Sequence, residues 1–453
     1  MSQPLKIAVI GSGISGLSAA WLLSKSHDVT LFEREQRAGG HSNTVEIDHL
    51  RANASASPVA VDTGFIVYNT KSYPNLIALF DHLDVPTATT SMSFAVSLDG
   101  GGYEYSGTGL SGIFGQPTNL LSPSHWLMIR DILRFFRESR QVLADPSHQD
   151  ISLGDYLIAN GYSPAFIARH IQPMAAAIWS TPSADVLAFP AASFVRFFDN
   201  HGLLQINQPE WRTVAGGSRE YVNRVLADTD GRIEIARPVE AIRRLPVGME
   251  VTAGGATQSF DACVVATHAD TALELLADAD HHEHRLLGAF RYAPNTAVLH
   301  TDPGFMPRRK RLWSSWNYLT RGEADDTALS VTYWMNNLQP LATSQNLFVT
   351  LNPDREISPD HVAASFNYAH PMFDQAAMSA QRELWGLQGR RNTWFCGSHF
   401  GYGFHEDGIQ AGLAVAEDIG DVRRPWRVRD ESGRIQLSSA PRLPVDAALE
   451  TAA

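Results

Sequence analysis

At 453 residues the chain is longer than one hydrophobic core serves, so two or three structural units are expected. Its composition, 44% hydrophobic and 19% charged with 34 Gly and 24 Pro, is that of a soluble globular protein. A net charge of −12 argues against nucleic acid as a general partner, because phosphate binding needs a basic surface. Two cysteines, Cys263 and Cys396, exclude a disulfide framework and a cysteine-rich metal site, and they fit a reducing cytoplasm. No apolar run approaches the ~18–20 residues that span a bilayer. Ile7-Ala8-Val9-Ile10 is too short for a signal peptide's core.

Lys6 to Ile10 reads as a short buried strand, followed by Gly11-Ser12-Gly13-Ile14-Ser15-Gly16 and a helical run from Leu17 to Leu23. Val29 to Phe32 gives a second strand, ending at Glu33, 20 residues beyond Gly13. Strand, glycine loop, helix and acidic residue together predict a Rossmann βαβ unit. Gly11 permits the turn, Gly13 admits a diphosphate against the backbone, and Gly16 lets helix pack on strand. The helix start at Ile14 and Ser15 offers unpaired N–H groups to an anion. Glu33 accepts from ribose hydroxyls and repels a 2′-phosphate, which disfavours NADP.

Val59 to Val67 is expected as a strand leading to Tyr68, and residues 75–205 as mainly helical. Arg232 to Val251 alternates like strands. Phe260 to Thr267 reads as a buried strand entering a loop, and Thr393 to Gly397 as a strand and turn. A helix is expected over Ile409–Ile419, and disorder in the Ala/Pro-rich end from about Pro441.

Glu33-Arg34-Glu35-Gln36-Arg37-Ala38-Gly39-Gly40-His41 resembles the E-x-x-x-R-x-G-G-R signature of the flavin amine oxidase superfamily, with His41 in place of the final arginine. The run Phe395-Cys396-Gly397-Ser398-His399-Phe400-Gly401-Tyr402-Gly403-Phe404-His405-Glu406-Asp407-Gly408 resembles a bacterial group of amine-oxidase-like NAD/FAD-binding proteins. It is also similar to the flavoprotein domain at the N-terminus of plant cyclopropane fatty acid synthases. Leu312 to Tyr318 and Thr332 to Gln339 extend the match. The resemblance implies an α/β (α+β overall) chain: a Rossmann-type FAD-binding domain with an inserted, mixed sheet-and-helix substrate domain. Residues 1–74, 205–275 and 385–425 would form the first, 75–204 and 276–384 the second, and 426–453 a largely disordered tail.

The cofactor implied is noncovalent FAD, held by Gly11, Gly13, Ile14, Ser15, Gly16, Glu33, Arg34, Arg37, Gly39, Gly40 and His41. The resemblance adds Val239, Gly397, Gly408 and Ile409 to these. It also turns the C-terminal helix start toward the flavin's pyrimidine edge, where it would stabilise the reduced form's negative charge. His405, Glu406, His399 and Tyr402 are the catalytic candidates, as proton donors, acceptors or tuning groups. Against this stand helix capping by Glu406 and ordinary loop packing for His399 and Tyr402. Lysine occurs only at 6, 25, 71 and 310. The strand Tyr292–His300, where the resemblance would place an amine oxidase's lysine, has none, so amine oxidation is disfavoured.

Kinship with cyclopropane synthases implies a lipid acyl chain as substrate, unsaturated or methyl-branched, and a cyclopropane-synthase-type methyltransferase as partner. The alternatives are an oxidase or desaturase of an isoprenoid, porphyrin or amine, or a non-catalytic flavoprotein partner. Trp179, Trp313, Trp316, Tyr318, Tyr333 and Trp334 are candidates to line an apolar site, although aromatics more often fill core. His281-His282-Glu283-His284 invites a metal, but a solvated helix end is the better reading, and no metal is expected. Arg308-Arg309-Lys310-Arg311 before Leu312-Trp313, and the amphipathic run Trp126–Phe136, suggest peripheral contact with the inner membrane face. An ordinary surface loop and a core-facing helix weigh somewhat more.

Overall fold

Short apolar runs with no alternation become strands covered on both faces. The computed structural model describes residues 3–50, 58–144, 151–179, 186–200, 202–204, 209–321, 330–437 and 442–443. Strands β1 (Lys6–Ile10), β2 (Asp28–Phe32), β3 (Arg232–Glu234), β4 (Ala262–Val265) and β5 (Thr393–Phe395) form one sheet in the order β3-β2-β1-β4-β5. Every pairing in it is parallel, with Ala8 opposite Thr30 on one side and Cys263 on the other. Three distant stretches of chain therefore build one cofactor-type sheet. A three-stranded antiparallel sheet, Val239–Arg244, Met249–Ala253 and Ala256–Phe260, lies in sequence between β3 and β4. Its alternation marks a sheet with one wet face.

Four helices matter below: α1 (Ile14–Leu23), α2 (Pro74–His82), α3 (Pro123–Glu138) and α4 (His405–Ile419). All ten residues of α1 are buried. It packs on α4 at close range, because a Cβ on Gly412 would lie 2.2 Å from the Ser15 carbonyl oxygen. The expected helix over Ile409–Ile419 thus starts four residues earlier, which puts His405, Glu406 and Asp407 in its first turn.

A second, seven-stranded sheet runs in the order Val362–Met372, Arg291–His300, Phe348–Leu351, Ser330–Trp334, Trp316–Leu319, Phe94–Leu98, Tyr103–Ser106. Phe94–Leu98 pairs in parallel with Trp316–Leu319 across more than two hundred residues. Residues 75–205 are mainly helical, as expected, and also contribute three short strands, Thr87–Thr90, Phe94–Leu98 and Tyr103–Ser106. Thr87–Thr90 pairs with the remote Trp211–Val214, whereas Phe94–Leu98 and Tyr103–Ser106 form a hairpin whose local signal is Asp99-Gly100-Gly101-Gly102. Between this sheet and the helices lies an aromatic core that includes Tyr105, Phe135, Phe166, Phe194, Phe197, Phe198 and Tyr318. Val59–Val67 is likewise not one strand. Val59–Asp62 and Val67–Asn69 are separate, and the chain turns between them at Thr63–Ile66.

Residues 426–437, expected as loose tail, are held instead. Trp426 stacks on Trp21 with ring centroids 5.7 Å apart, Ile435 is buried, and Arg434 pairs with Asp407 at 2.7 Å. Farther on, 438–441 and 444–453 lie outside the described residues, as do part of the polar stretch from Arg51 and the side chain of Trp179. Among the described residues no helix is long and apolar enough to cross a membrane.

Candidate cofactor and active site

At the C-terminal end of β1 the chain turns at Gly11, whose φ of +98° disfavours any larger residue. A Cβ on Gly16 would fall 1.9 Å from the Gly11 carbonyl oxygen, so loop and helix touch only because residue 16 is glycine. Gly13 is different. It is the N-cap of α1, no side chain caps the helix, and a Cβ placed there meets nothing within 4 Å. Ile14 and Ser15 follow in the first turn, so free N–H groups face open space at the positive end of a helix dipole.

Glu33 closes the loop from the end of β2. One carboxylate oxygen accepts from the Ser12 N–H (2.9 Å) and hydroxyl, and the other from the Glu35 N–H at 2.9 Å. Gly39 donates to the Ser12 carbonyl at 3.0 Å. A Cβ on Gly40 would sit 3.1 Å from the Gly13 Cα, so the paired-glycine loop lies on the first. Arg37 reaches the Ser42 carbonyl at 3.4 Å, while Arg34 turns outward to Glu35. Ala236 and Arg237 donate to the carbonyls of Glu35 and Glu33, which brings the strand beginning at Val239 past the same corner.

From the other side, α4 presses its start against α1. A Cβ on Gly408 would meet the Ile14 side chain at 2.7 Å and the Ser15 hydroxyl at 2.9 Å, and Ile409 is fully buried. Gly397 makes room for the His399 ring, whose Nδ1 would lie 2.5 Å from a Cβ there.

The catalytic candidates separate. His405 Nε2 lies 3.0 Å from the Ser42 hydroxyl and 3.1 Å from that of Tyr221, and the ring stacks on Phe65 at 3.7 Å. Burial lowers its pKa to about 3, so it is a neutral imidazole between two hydroxyls. His399 is buried against Phe290, its Nε2 has no hydrogen-bond partner, and burial lowers its pKa to about 3. Tyr402 borders the aromatic core near Phe197, and burial raises its pKa. Glu406 points elsewhere. Its carboxylate accepts from the N–H groups of Asn75 (3.1 Å) and Leu76 (3.1 Å), from Asn75 Nδ2 (2.8 Å) and from Gln410 Nε2 (2.9 Å). Two of these bonds cap the start of α2, one holds the Asn75 side chain and one holds Gln410 on its own helix, so the carboxylate is fully engaged in positioning.

Sequence reasoning missed what the fold gathers around His41. Its ring stacks on Tyr368 (4.9 Å) and lies near His370 (5.6 Å) and His268 (6.4 Å), while His268 stacks on Tyr292 at 4.3 Å. Burial, then the neighbouring His370 and His268, hold the pKa of His41 well down, and its Nε2 has no partner. Asp62 was missed too. It accepts from Ser218 N–H and hydroxyl, Thr44 Oγ1 and Gln339 Nε2, and burial raises its pKa to about 6 against those bonds. No local signal marks His268 or His370, although Asp62 precedes a glycine turn against His41, where Phe65 N–H donates to the His41 carbonyl at 2.8 Å.

Among the described residues no group of three or more His, Cys, Asp or Glu side chains is placed to hold a metal ion. The His281–Leu287 segment is a helix whose Glu283 forms a capping box with Asp280 and an ion pair with buried Arg244.

An open glycine at an uncapped helix start, with a carboxylate at the end of the next strand, defines a dinucleotide-binding type of site. The chain belongs to the family described as flavin containing amine oxidoreductase, whose profile matches residues 14–363. An L-amino acid oxidase of Cerastes cerastes is 39% identical over 59 residues, 13% of this chain and 11% of that protein. An L-amino-acid oxidase of Pseudechis australis is 48% identical over 44 residues, 10% of this chain and 8% of that protein. The chain thus matches only a small part of the length of these curated relatives.

Solved structures share the fold. A CLA-producing fatty acid isomerase from P. acnes superposes with a TM-score of 0.64 at 15% identity. A putrescine oxidase gives 0.66 at 17%, and a cyclohexylamine oxidase from Brevibacterium oxydans 0.62 at 14%. Each superposition covers 92% of this chain and 99% of the other. The family implies a flavin, and the residues present fit a dinucleotide form of it: Gly13 leaves room, the α1 start supplies N–H groups, and the Glu33 carboxylate closes the loop beside them.

Proposed function

We propose that the chain is an oxidoreductase that holds FAD noncovalently and acts on C–H or C=C bonds of an apolar substrate, foremost a fatty acyl chain. The observation that carries the reading is the uncapped start of α1 at an open Gly13, with Glu33 aligned beside it. When bound, the flavin supplies hydride acceptance. The chain supplies the rest. The first-turn N–H groups of α1 would hold the diphosphate, and Glu33 would accept from the ribose hydroxyls. Noncovalent attachment is supported by the thiols: Cys263 in β4 and Cys396 just past the end of β5 are both fully buried, and burial raises their pKa, to about 12 for Cys263.

His405 is neutral at pH 7 and bridges Ser42 and Tyr221, a set that can pass a proton between hydroxyls. His399, with an unpartnered Nε2, is a second neutral acceptor. An apolar substrate is supported by the aromatic core, which runs to Tyr402 and Phe404 at the start of α4 and includes Trp316 and Tyr333. The absence of lysine along Arg291–His300 speaks against an amine.

The test is anaerobic bleaching of the purified protein's flavin band by bacterial phospholipids, comparing unsaturated, cyclopropane and methyl-branched chains. Bleaching by one class is the expected result. A flavin that dithionite reduces but no lipid does would overturn the acyl-chain reading and favour a non-catalytic partner of a fatty acid methyltransferase.

A further inference from the structure

Helix α3 has a core face and an unusual opposite face. His125, Met128, Asp131 and Phe135 are buried, while Trp126, Leu127 and Leu133 are 49%, 41% and 51% exposed. The loop before it adds Leu120 and Leu121, the latter 87% exposed, and the turn before that adds Leu110 at 76%. Most of the described chain's large exposed apolar side chains lie in this one stretch. They are tied together: Trp126 Nε1 donates to the Leu120 carbonyl at 3.0 Å, and its ring lies 5.0 Å from Phe114.

A second segment lies beside the first. A Cβ on Gly115 would stand 2.1 Å from the Leu312 side chain. Buried Glu104 pins both loops. Its backbone binds Gln116 and Asn119, and its carboxylate accepts from Arg308 N–H (2.8 Å) and pairs with Arg309 (2.6 Å). Arg308, Lys310 and Arg311 are exposed and make no ion pair with a described residue. Lys310 lies over the Trp313 ring, 5.6 Å from its centroid. Neither Tyr105–Arg130 nor Pro303–Arg321 contains a single Asp or Glu, in a chain with 48 of them and a net charge of −12.

We infer that this face, Leu110, Leu120, Leu121, Trp126 and Leu127 with Arg308, Lys310 and Arg311, docks on an anionic lipid bilayer surface. Charge complementarity favours that partner, because two acid-free segments bearing exposed cations on an acidic protein are matched to anionic headgroups. Shape favours it too. Leucines that stand three-quarters or more exposed suit a fluid into which they sink, and interfacial tryptophan and arginine suit the headgroup level. The inference does not rest on the redox reading. It does give that reading a geometry, since the buried face of α3 belongs to the aromatic core that ends at Tyr402 and Phe404.

The test is flotation of the full chain with phosphatidylcholine vesicles, with and without phosphatidylglycerol. Binding is expected only with phosphatidylglycerol, weakened by salt. Leu121→Asp is expected to lower it about tenfold or more, and Lys310→Gln or Arg311→Gln about fivefold each. Bilayer insertion is read separately as fluorescence quenching by acyl-brominated lipid that is lost in Trp126→Phe. Equal flotation of wild type and Leu121→Asp, or none by wild type, overturns the inference. So does a wild-type dimer in solution that Leu121→Asp dissociates, which would make the face a contact between copies. None of these readouts uses turnover, so failure here leaves the acyl-chain reading to its own test.

Discussion

Helices α1 and α4 meet start to start at the glycine loop, yet their N-termini are satisfied in opposite ways. The first turn of α1 has no acidic residue and no side-chain cap. The first turn of α4 contains Glu406 and Asp407, both fully buried. Asp407 accepts from the Phe404 N–H at 2.8 Å and is neutralised by Arg434 at 2.7 Å, while Glu406 turns to α2. A helix dipole favours an anion at its start. Where the chain provides that anion, as in α4, the turn is structural. Where it does not, as in α1, a charged ligand has its place.

Three measurements sharpen or break this contrast. The largest effect is expected from Gly13→Glu, which puts the chain's own carboxylate into the open space at the α1 start. The variant should fold and lose flavin almost completely, read as the ratio of flavin to protein absorbance after gel filtration. A fully yellow variant would mean that the anion site lies elsewhere. At the other helix, Glu406→Gln turns an acceptor into a donor facing the N–H groups of Asn75 and Leu76. It should lose about 2–3 kcal/mol of stability in urea, with turnover per bound flavin unchanged. A loss of turnover at constant stability would restore a catalytic role to Glu406.

The smallest effect is a pH slope. His370 is held at about 4, and His399 and His405 at about 3, chiefly by burial. The unfolded chain protonates these groups near pH ~6.5, and the folded chain does not. Stability that is present above that value is therefore lost as pH falls from about 6.5, by ~1.4 kcal/mol per pH unit for each proton taken up. Asp62, raised to about 6, opposes this below its own pKa, because there the folded state binds the proton first. The histidines outnumber it. Urea midpoints of the flavin-free protein should fall toward acid, and His399→Gln should flatten the slope by about one proton. An unchanged slope would show that His399 titrates normally.

Legibility in the sequence followed the range of the interactions. β1, the glycine loop and β2 were readable because strand, turn and helix start lie within thirty residues, and each glycine answers a local demand. The same holds for the buried run Ala262–Val265, which has no polar position to mislead. Phe94–Leu98 carried a local signal that went unused, the Asp99-Gly100-Gly101-Gly102 turn into its antiparallel partner Tyr103–Ser106, whereas its parallel partner Trp316–Leu319 lies beyond any local reading. Glu406 was legible as an acidic residue at a helix start, but its partner helix begins at Pro74, and only packing decides which oxygen meets which N–H.

By itself the sequence determined a Rossmann-type start, the kinship of the glycine and C-terminal motifs, and the acidic balance of the chain. These depend on φ, on local periodicity and on composition, which neighbours in sequence fix. The tertiary structure alone decided that His41, His268 and His370 converge, that Arg434 returns to neutralise Asp407, and that two acid-free segments two hundred residues apart form one apolar, basic face. Such groupings arise from burial and close packing between remote segments, and no local propensity encodes them.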